Sequence, residues 1–173
     1  MPEQVLQTTS EKASLELGRR IGEQLEAGDV VALWGELGAG KTLMARGIAW
    51  GLGVPPMVHI TSPTFTVINE YEARLHLYHL DLYRIANEDD LETIPWRDVL
   101  YGTGVAVVEW PERLGQALPE DRLDVYLEII SETVRRITIQ TRGQSYQTRF
   151  EDASLGLDNI DFEERQASCP VRP

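Results

Sequence analysis

The sequence predicts an α/β fold: a mostly parallel central sheet with antiparallel edge strands and flanking helices. Two short apolar runs, VVALW at 30–34 and VAVV at 105–108, have the continuous hydrophobicity of strands buried on both faces of a parallel sheet. Helical periodicity before and after the first run makes strand and helix alternate, which places helices on both sheet faces. Two later runs, 123–130 and 135–141, alternate polar and apolar residues as half-buried edge strands do.

Taken in order, Thr8-Thr9-Ser10-Glu11 has capping-box spacing, and Ala13, Leu17, Ile21 and Leu25 recur four apart. Together they predict a helix over 11–27 with one buried stripe, ending before Gly28. The strand at 30–34 leads through a glycine-studded loop into a helix over 41–52 that stops at Gly53. After an irregular stretch at 54–64, TFTVINEYEARLHLYHLDLYR reads as a hairpin turning at 69–73. Asn87 suits the cap of a short helix. The second buried strand and the two alternating runs complete one domain over 1–150. The acidic remainder, 151–173, lacks periodicity and is expected to be a mobile tail.

Bulk properties narrow the function. A chain of 173 residues suits one buried core. Its net charge of −12 and pI near 4.6 argue against gripping nucleic acid through a broad basic face. The single Cys169 forms no internal disulfide and offers no metal-ligand spacing, which suits a reducing compartment. With no eighteen-residue apolar run, a soluble, cytoplasmic protein is the expectation.

Gly35-Glu36-Leu37-Gly38-Ala39-Gly40-Lys41-Thr42 fits G-x-x-x-x-G-K-[ST], the Walker A or P-loop pattern, between a buried strand and a helix as that motif requires. Glycines let the backbone curl so that N–H groups converge at a helix N-terminus, where the dipole already favours an anion. A lysine at this place reaches the β- and γ-phosphates, and the following hydroxyl is placed to ligate Mg²⁺. The expected fold is therefore a P-loop NTPase-like sandwich. No N-K-x-D guanine signature follows, which leaves adenine as the default base and ATP as the expected nucleotide.

Such a site needs a second carboxylate at the end of another buried strand. Glu109 ends the run at 105–108 and can serve as metal ligand or general base; Asp81, in His79-Leu80-Asp81-Leu82-Tyr83-Arg84, is the rival. Asp81 could orient water or the metal shell, or simply pair with Arg84. His76 and His79 alternate with apolar residues and read as polar strand positions rather than ligands. Thr61-Ser62-Pro63-Thr64-Phe65 lies where a P-loop switch segment passes over the γ-phosphate. Trp110, beside the acid, suits packing or a nucleotide contact.

GELGAGKT, SPTF, HLDLYR and VEWPER, in that order and spacing, resemble the bacterial TsaE (YjeE) family over about residues 8–141. That resemblance implies a small ATPase working with TsaD and TsaB to form N6-threonylcarbamoyladenosine at position 37 of tRNAs that read ANN codons. It implies Gly38, Ala39, Gly40, Lys41, Thr42 and Leu43 on the nucleotide, with Glu11, Thr64 and Trp110 beside it. Thr42 and Glu109 would hold Mg²⁺, Asp81 would lie near the γ-phosphate, and Lys41, Asp81 and Glu109 would form the catalytic set. Transfer of tRNA contacts to the partners agrees with the acidic charge. Two other readings fit the residues: a nucleotide-loaded switch with incidental hydrolysis, and a small-molecule P-loop kinase, although the basic residues are scattered rather than gathered in a lid.

Overall fold

A computed structural model of the protein describes residues 3–152. Seven strands form one sheet in the order β1-β7-β6-β2-β5-β4-β3. They are β1 (Glu3–Thr8), β2 (Val30–Trp34), β3 (Ile68–Tyr71), β4 (Leu77–Asp81), β5 (Val105–Glu109), β6 (Arg122–Ile129) and β7 (Arg135–Arg142). The four central strands β6, β2, β5 and β4 are mutually parallel. Antiparallel pairing completes both sides, β7 on β6 with β1 beyond it on β7, and β3 on β4. Mixed α/β architecture with a parallel centre and antiparallel edges is what the strand patterns predict.

Helices α1 (Glu11–Gln24) and α2 (Lys41–Gly51) cover one face. Their Leu17, Ile21, Met44 and Ile48 pack with Val31, Leu33, Val105 and Val107 of the sheet. The short helices α3 (Glu88–Leu91) and α4 (Trp96–Leu100) cover the other face, where Leu91, Trp96 and Val99 meet Leu80, Ala106 and Val108. Alternation along β4 and β5 therefore sends Leu77, Val105 and Val107 to the α1/α2 side and their neighbours to the other. No described helix is long and apolar enough to cross a membrane.

The two helices on the first face approach unusually closely. A Cβ on Gly22 would stand 2.2 Å from the Ile48 carbonyl oxygen, and one on Gly51 would stand 2.0 Å from that of Arg19. Only glycine permits this contact, and it sets α2, with the loop at its N-terminus, against the sheet.

Several boundaries differ from expectation. Ser10, not Thr8, caps α1, its Oγ accepting from Ala13 N at 3.1 Å; Thr8 is occupied as the last residue of β1, paired with Arg135. Helix α1 stops at Gln24 because Leu25 is already extended. The hairpin turns at 72–76 rather than 69–73, since Asn69 and Glu70 pair with His79 and Tyr78. Strand β1 was not foreseen: its burial alternates only weakly and it is specified by pairing with β7. Helix α5 (Gln144–Asp152) follows β7 and was not among the expected elements. Tyr146 and Phe150, four apart, bury their rings in the core, and Arg149 forms a two-pronged bridge to Asp29 at 2.6 and 2.8 Å. The tail expected from 151 lies outside the described residues beyond Asp152.

Candidate functional site

The loop at 35–40 leaves the C-terminal end of β2 and enters α2 directly. Gly40 is the N-cap of α2 with φ +104°, and Gly38 has φ +80°, backbone values that side chains rarely tolerate. With Lys41 and Thr42 opening the helix, its first N–H groups have no partner within the helix and converge on the loop. Arg135 braces the loop from outside, its Nε donating to the Ala39 carbonyl at 3.0 Å and its Nη2 to that of Gly38 at 3.4 Å. Sequence reasoning missed Arg135; only the pairing of β6 with β7 brings it to the loop. Leu43 follows Thr42 in the first turn of α2.

Lys41 is folded over this loop, only 5% exposed. Its Nζ donates to the carbonyls of Gly35 at 2.6 Å and Glu36 at 2.8 Å, and lies 3.9 Å from the centre of the Trp110 ring. Burial holds its ammonium below the ordinary lysine range, while the carboxylates of Glu109, Glu112, Asp81 and Glu36 pull in the opposite direction. Trp110 has left-handed backbone, φ 59° and ψ 49°, an uncommon state for a bulky residue. That turn aims the ring at Lys41 and at Tyr83, whose ring is 5.0 Å away.

Glu109 closes β5 and is 3% exposed. The Thr42 hydroxyl donates to both its oxygens, at 2.9 and 3.1 Å, so the two residues expected to share a metal are in direct contact. His79 Nε2 lies 2.8 Å from Glu109 Oε1. His79 is a strand position as expected, within β4, but it is only 1% exposed, so its polar ring faces the interior. The signal was available: His79 stands two residues before Asp81 on a strand, hence on the same face as a site carboxylate. His76, by contrast, lies at the surface between Glu70 and Glu72, 2.9 Å from each.

Asp81 is the register partner of Glu109. One of its oxygens accepts from the Ser62 hydroxyl and the other from Tyr83 N at 3.0 Å. Arg84 does not pair with Asp81 as weighed; its guanidinium lies over the Phe65 ring at 4.3 Å. Ser62 and Thr64 hydroxyls are 3.2 Å apart. The 61–65 segment is thus attached to the HLDLYR stretch at both ends, through Ser62 with Asp81 and through Phe65 with Arg84. Val67 just beyond has φ 65°, a strained value for a β-branched residue.

Glu11 is less closely tied to this group. It is exposed in the first turn of α1, three residues past the Thr8–Arg135 pair that leads to the loop.

The donor set suits Mg²⁺ chemistry. A hydroxyl and two carboxylates are hard oxygen donors. Among the described residues no group of three His, Cys, Asp or Glu side chains could hold an ion alone, and Mg²⁺ is commonly bound by one or two carboxylates together with substrate phosphates.

Comparison with known proteins converges on one family. The profile described as "Threonylcarbamoyl adenosine biosynthesis protein TsaE" matches residues 8–137. The tRNA threonylcarbamoyladenosine biosynthesis protein TsaE of Treponema pallidum is 45% identical over 122 residues, covering 70% of this chain and 89% of that protein. The protein of the same name from Bacillus subtilis is 41% identical over 134 residues, 77% and 82% of the two chains. The crystal structure of Bacillus subtilis YdiB superposes with a TM-score of 0.73 at 31% identity, over 90% of this chain and 95% of that one. All four GELGAGKT, SPTF, HLDLYR and VEWPER segments fall within the matched span, and the chain belongs to the TsaE family.

Proposed function

We propose that this protein is a Mg²⁺-dependent ATPase that supports TsaD and TsaB in forming N6-threonylcarbamoyladenosine at position 37 of tRNAs reading ANN codons. The observation that carries the reading is the contact of the Thr42 hydroxyl with both oxygens of the Glu109 carboxylate, whose charge also acts on Lys41. Helix α2 supplies the hydroxyl and the cation from adjacent residues, and β5 supplies the carboxylate. The family names of the relatives supply the pathway.

In this reading the N–H groups at Gly38, Ala39 and Gly40 and the start of α2 bind phosphate oxygens. Lys41 exchanges the Gly35 and Glu36 carbonyls for phosphate, a better partner for its charge. Thr42 and Glu109 would hold Mg²⁺, whose chemistry when bound is to neutralise charge developing on the phosphates. Asp81, kept in one orientation by Ser62 and Tyr83, would orient the attacking water. Trp110 covers the lysine ammonium with its ring.

The test is multiple-turnover phosphate release from ATP, with no added acceptor, in the presence and absence of TsaB and TsaD. Mg²⁺-dependent release that the partners stimulate is expected. ADP formation that needs an added small-molecule acceptor and yields the phosphorylated acceptor instead of free phosphate would identify a kinase, and slow phosphate release indifferent to the partners would leave a nucleotide-dependent switch.

The switch reading has an observation of its own. The 61–65 segment is anchored to Asp81 and Arg84, so a change at the phosphates has a physical route to Phe65, which is 82% exposed.

A further inference from the structure

His79 makes a contact that packing does not require. It projects from the middle of β4 onto the face covered by α1 and α2, alongside Leu77 and the carboxylate of Asp81. Of its two ring nitrogens, Nε2 meets Glu109 Oε1 at 2.8 Å. The other, Nδ1, is buried without a hydrogen-bond partner. A carboxylate that already accepts from the Thr42 hydroxyl accepts here as well, so Nε2 is the donor in this contact.

An unpartnered buried nitrogen is a cost that an apolar side chain at the same place would avoid. Val107, opposite His79 in the β4–β5 register, shows that this layer of the core accepts aliphatic groups. The histidine is therefore explained by what Nε2 does. Without it, Oε1 would be held only by the Thr42 hydroxyl, which a metal ion would draw into its own coordination. A donor from a neighbouring rigid strand keeps the carboxylate in one orientation whether or not Thr42 is engaged elsewhere.

We infer that His79 is a positioning residue, which fixes the Glu109 carboxylate so that it and Thr42 present a preformed pair of oxygens to a divalent cation. The inference rests on the proposed Mg²⁺–nucleotide site and adds a residue to it. The polar contact of His79 is with Glu109, and it acts through that residue, as donors behind metal-binding carboxylates do.

The experiment compares two near-isosteric variants of the full chain, His79→Gln, which keeps an N–H donor, and His79→Met, which has none. Binding of a fluorescent ATP analogue is titrated with Mg²⁺, and thermal unfolding is recorded without nucleotide. We expect His79→Met to raise the Mg²⁺ midpoint by about ten-fold, to leave Mg²⁺-free analogue affinity unchanged, and to melt no lower than His79→Gln. We expect His79→Gln to recover most of the midpoint. Equal midpoints for His79→Met and the unsubstituted protein would overturn the role of His79, as would equal midpoints in the two variants. If His79→Met does not fold, a wild-type midpoint in Mg²⁺ titrations of His79→Ala supplemented with imidazole supports the inference, and no rescue overturns it. Glu109→Gln separates the two levels: if neither it nor the unsubstituted protein shows Mg²⁺-dependent binding, the nucleotide-site reading itself fails.

Discussion

Asp81 and Glu109 stand opposite each other at the ends of β4 and β5, both buried, yet their carboxylates are held by different partners. Glu109 is bound by Thr42 and His79, Asp81 by Ser62 and the Tyr83 amide. One carboxylate is thus tied to the helix that carries the glycine loop and the other to the 61–65 segment. That separation assigns them different work. Glu109→Gln should raise the Mg²⁺ concentration needed for half-maximal phosphate release, whereas Asp81→Asn should lower kcat while nucleotide still binds. Steady-state rates across a Mg²⁺ series distinguish the two; the same Mg²⁺ dependence in both variants would contradict the division.

Lys41 yields a prediction on affinity and one on pH. Lys41→Ala should abolish most ATP binding in a protein that remains folded, measured by calorimetric titration. Burial lowers the Lys41 pKa in the fold, so between its folded and unfolded values the unfolded chain binds more protons. Stability from this group therefore increases as pH rises through that window, and the penalty is fully present below the folded value. Lys41→Met should remove this rise. Denaturant midpoints from neutral to alkaline pH test it, and parallel profiles for the two proteins would refute it.

Gly51 makes a packing prediction against the usual trend. Replacing a helical glycine by alanine ordinarily stabilises by about 0.5–1 kcal/mol. Here the added methyl meets the Arg19 carbonyl oxygen and the Gly22 Cα, both backbone, so α1 and α2 must separate. Gly51→Ala should destabilise by about 1–3 kcal/mol, read from urea unfolding. A gain in stability would show that the helices can part without cost.

At the opposite end of the sheet, Arg149 joins α5 to Asp29 just before β2. Both side chains are mostly buried, 16% and 8% exposed, so truncation leaves Asp29 poorly compensated. Arg149→Ala should cost about 1.5–3 kcal/mol and leave nucleotide affinity unchanged, since the pair is remote from the glycine loop. Chemical denaturation and nucleotide titration of the same variant test both halves.

If hydrolysis serves a partner, the partner must distinguish nucleotide states, because a ligand shifts an equilibrium only through differential affinity. Affinity for TsaB and TsaD should differ between ATP-analogue and ADP forms by about 1–3 kcal/mol. Ser62→Ala, which releases the 61–65 segment from Asp81, should shrink that difference. Titrations at fixed salt read it directly, and equal affinities in the two forms would remove the coupling.

The central strands and the loop were legible from the residues alone because their signals are local. VVALW and VAVV can only be buried strands at that length, and G-x-x-x-x-G-K-T specifies its own turn through glycine φ values and its own helix start. Asn87 likewise caps its helix with its own side chain, accepting from Asp90 N at 2.9 Å. Strand β1 and Arg135 were not legible, since both depend on β7, more than a hundred residues from Thr8. The turn at 72–76 was misplaced because Asn69 and Glu70 look like turn residues, and cross-strand pairing with His79 and Tyr78 overrides that preference. His79 shows the limit most clearly. Its residue type and alternation were visible, but whether a polar strand face meets water or a helix is settled only when α1 and α2 close over it. Strand pairing sets Glu109 beside His79, closure of the helices buries the ring and brings Thr42 to the same carboxylate, and burial by another element is not written in the residues of β4.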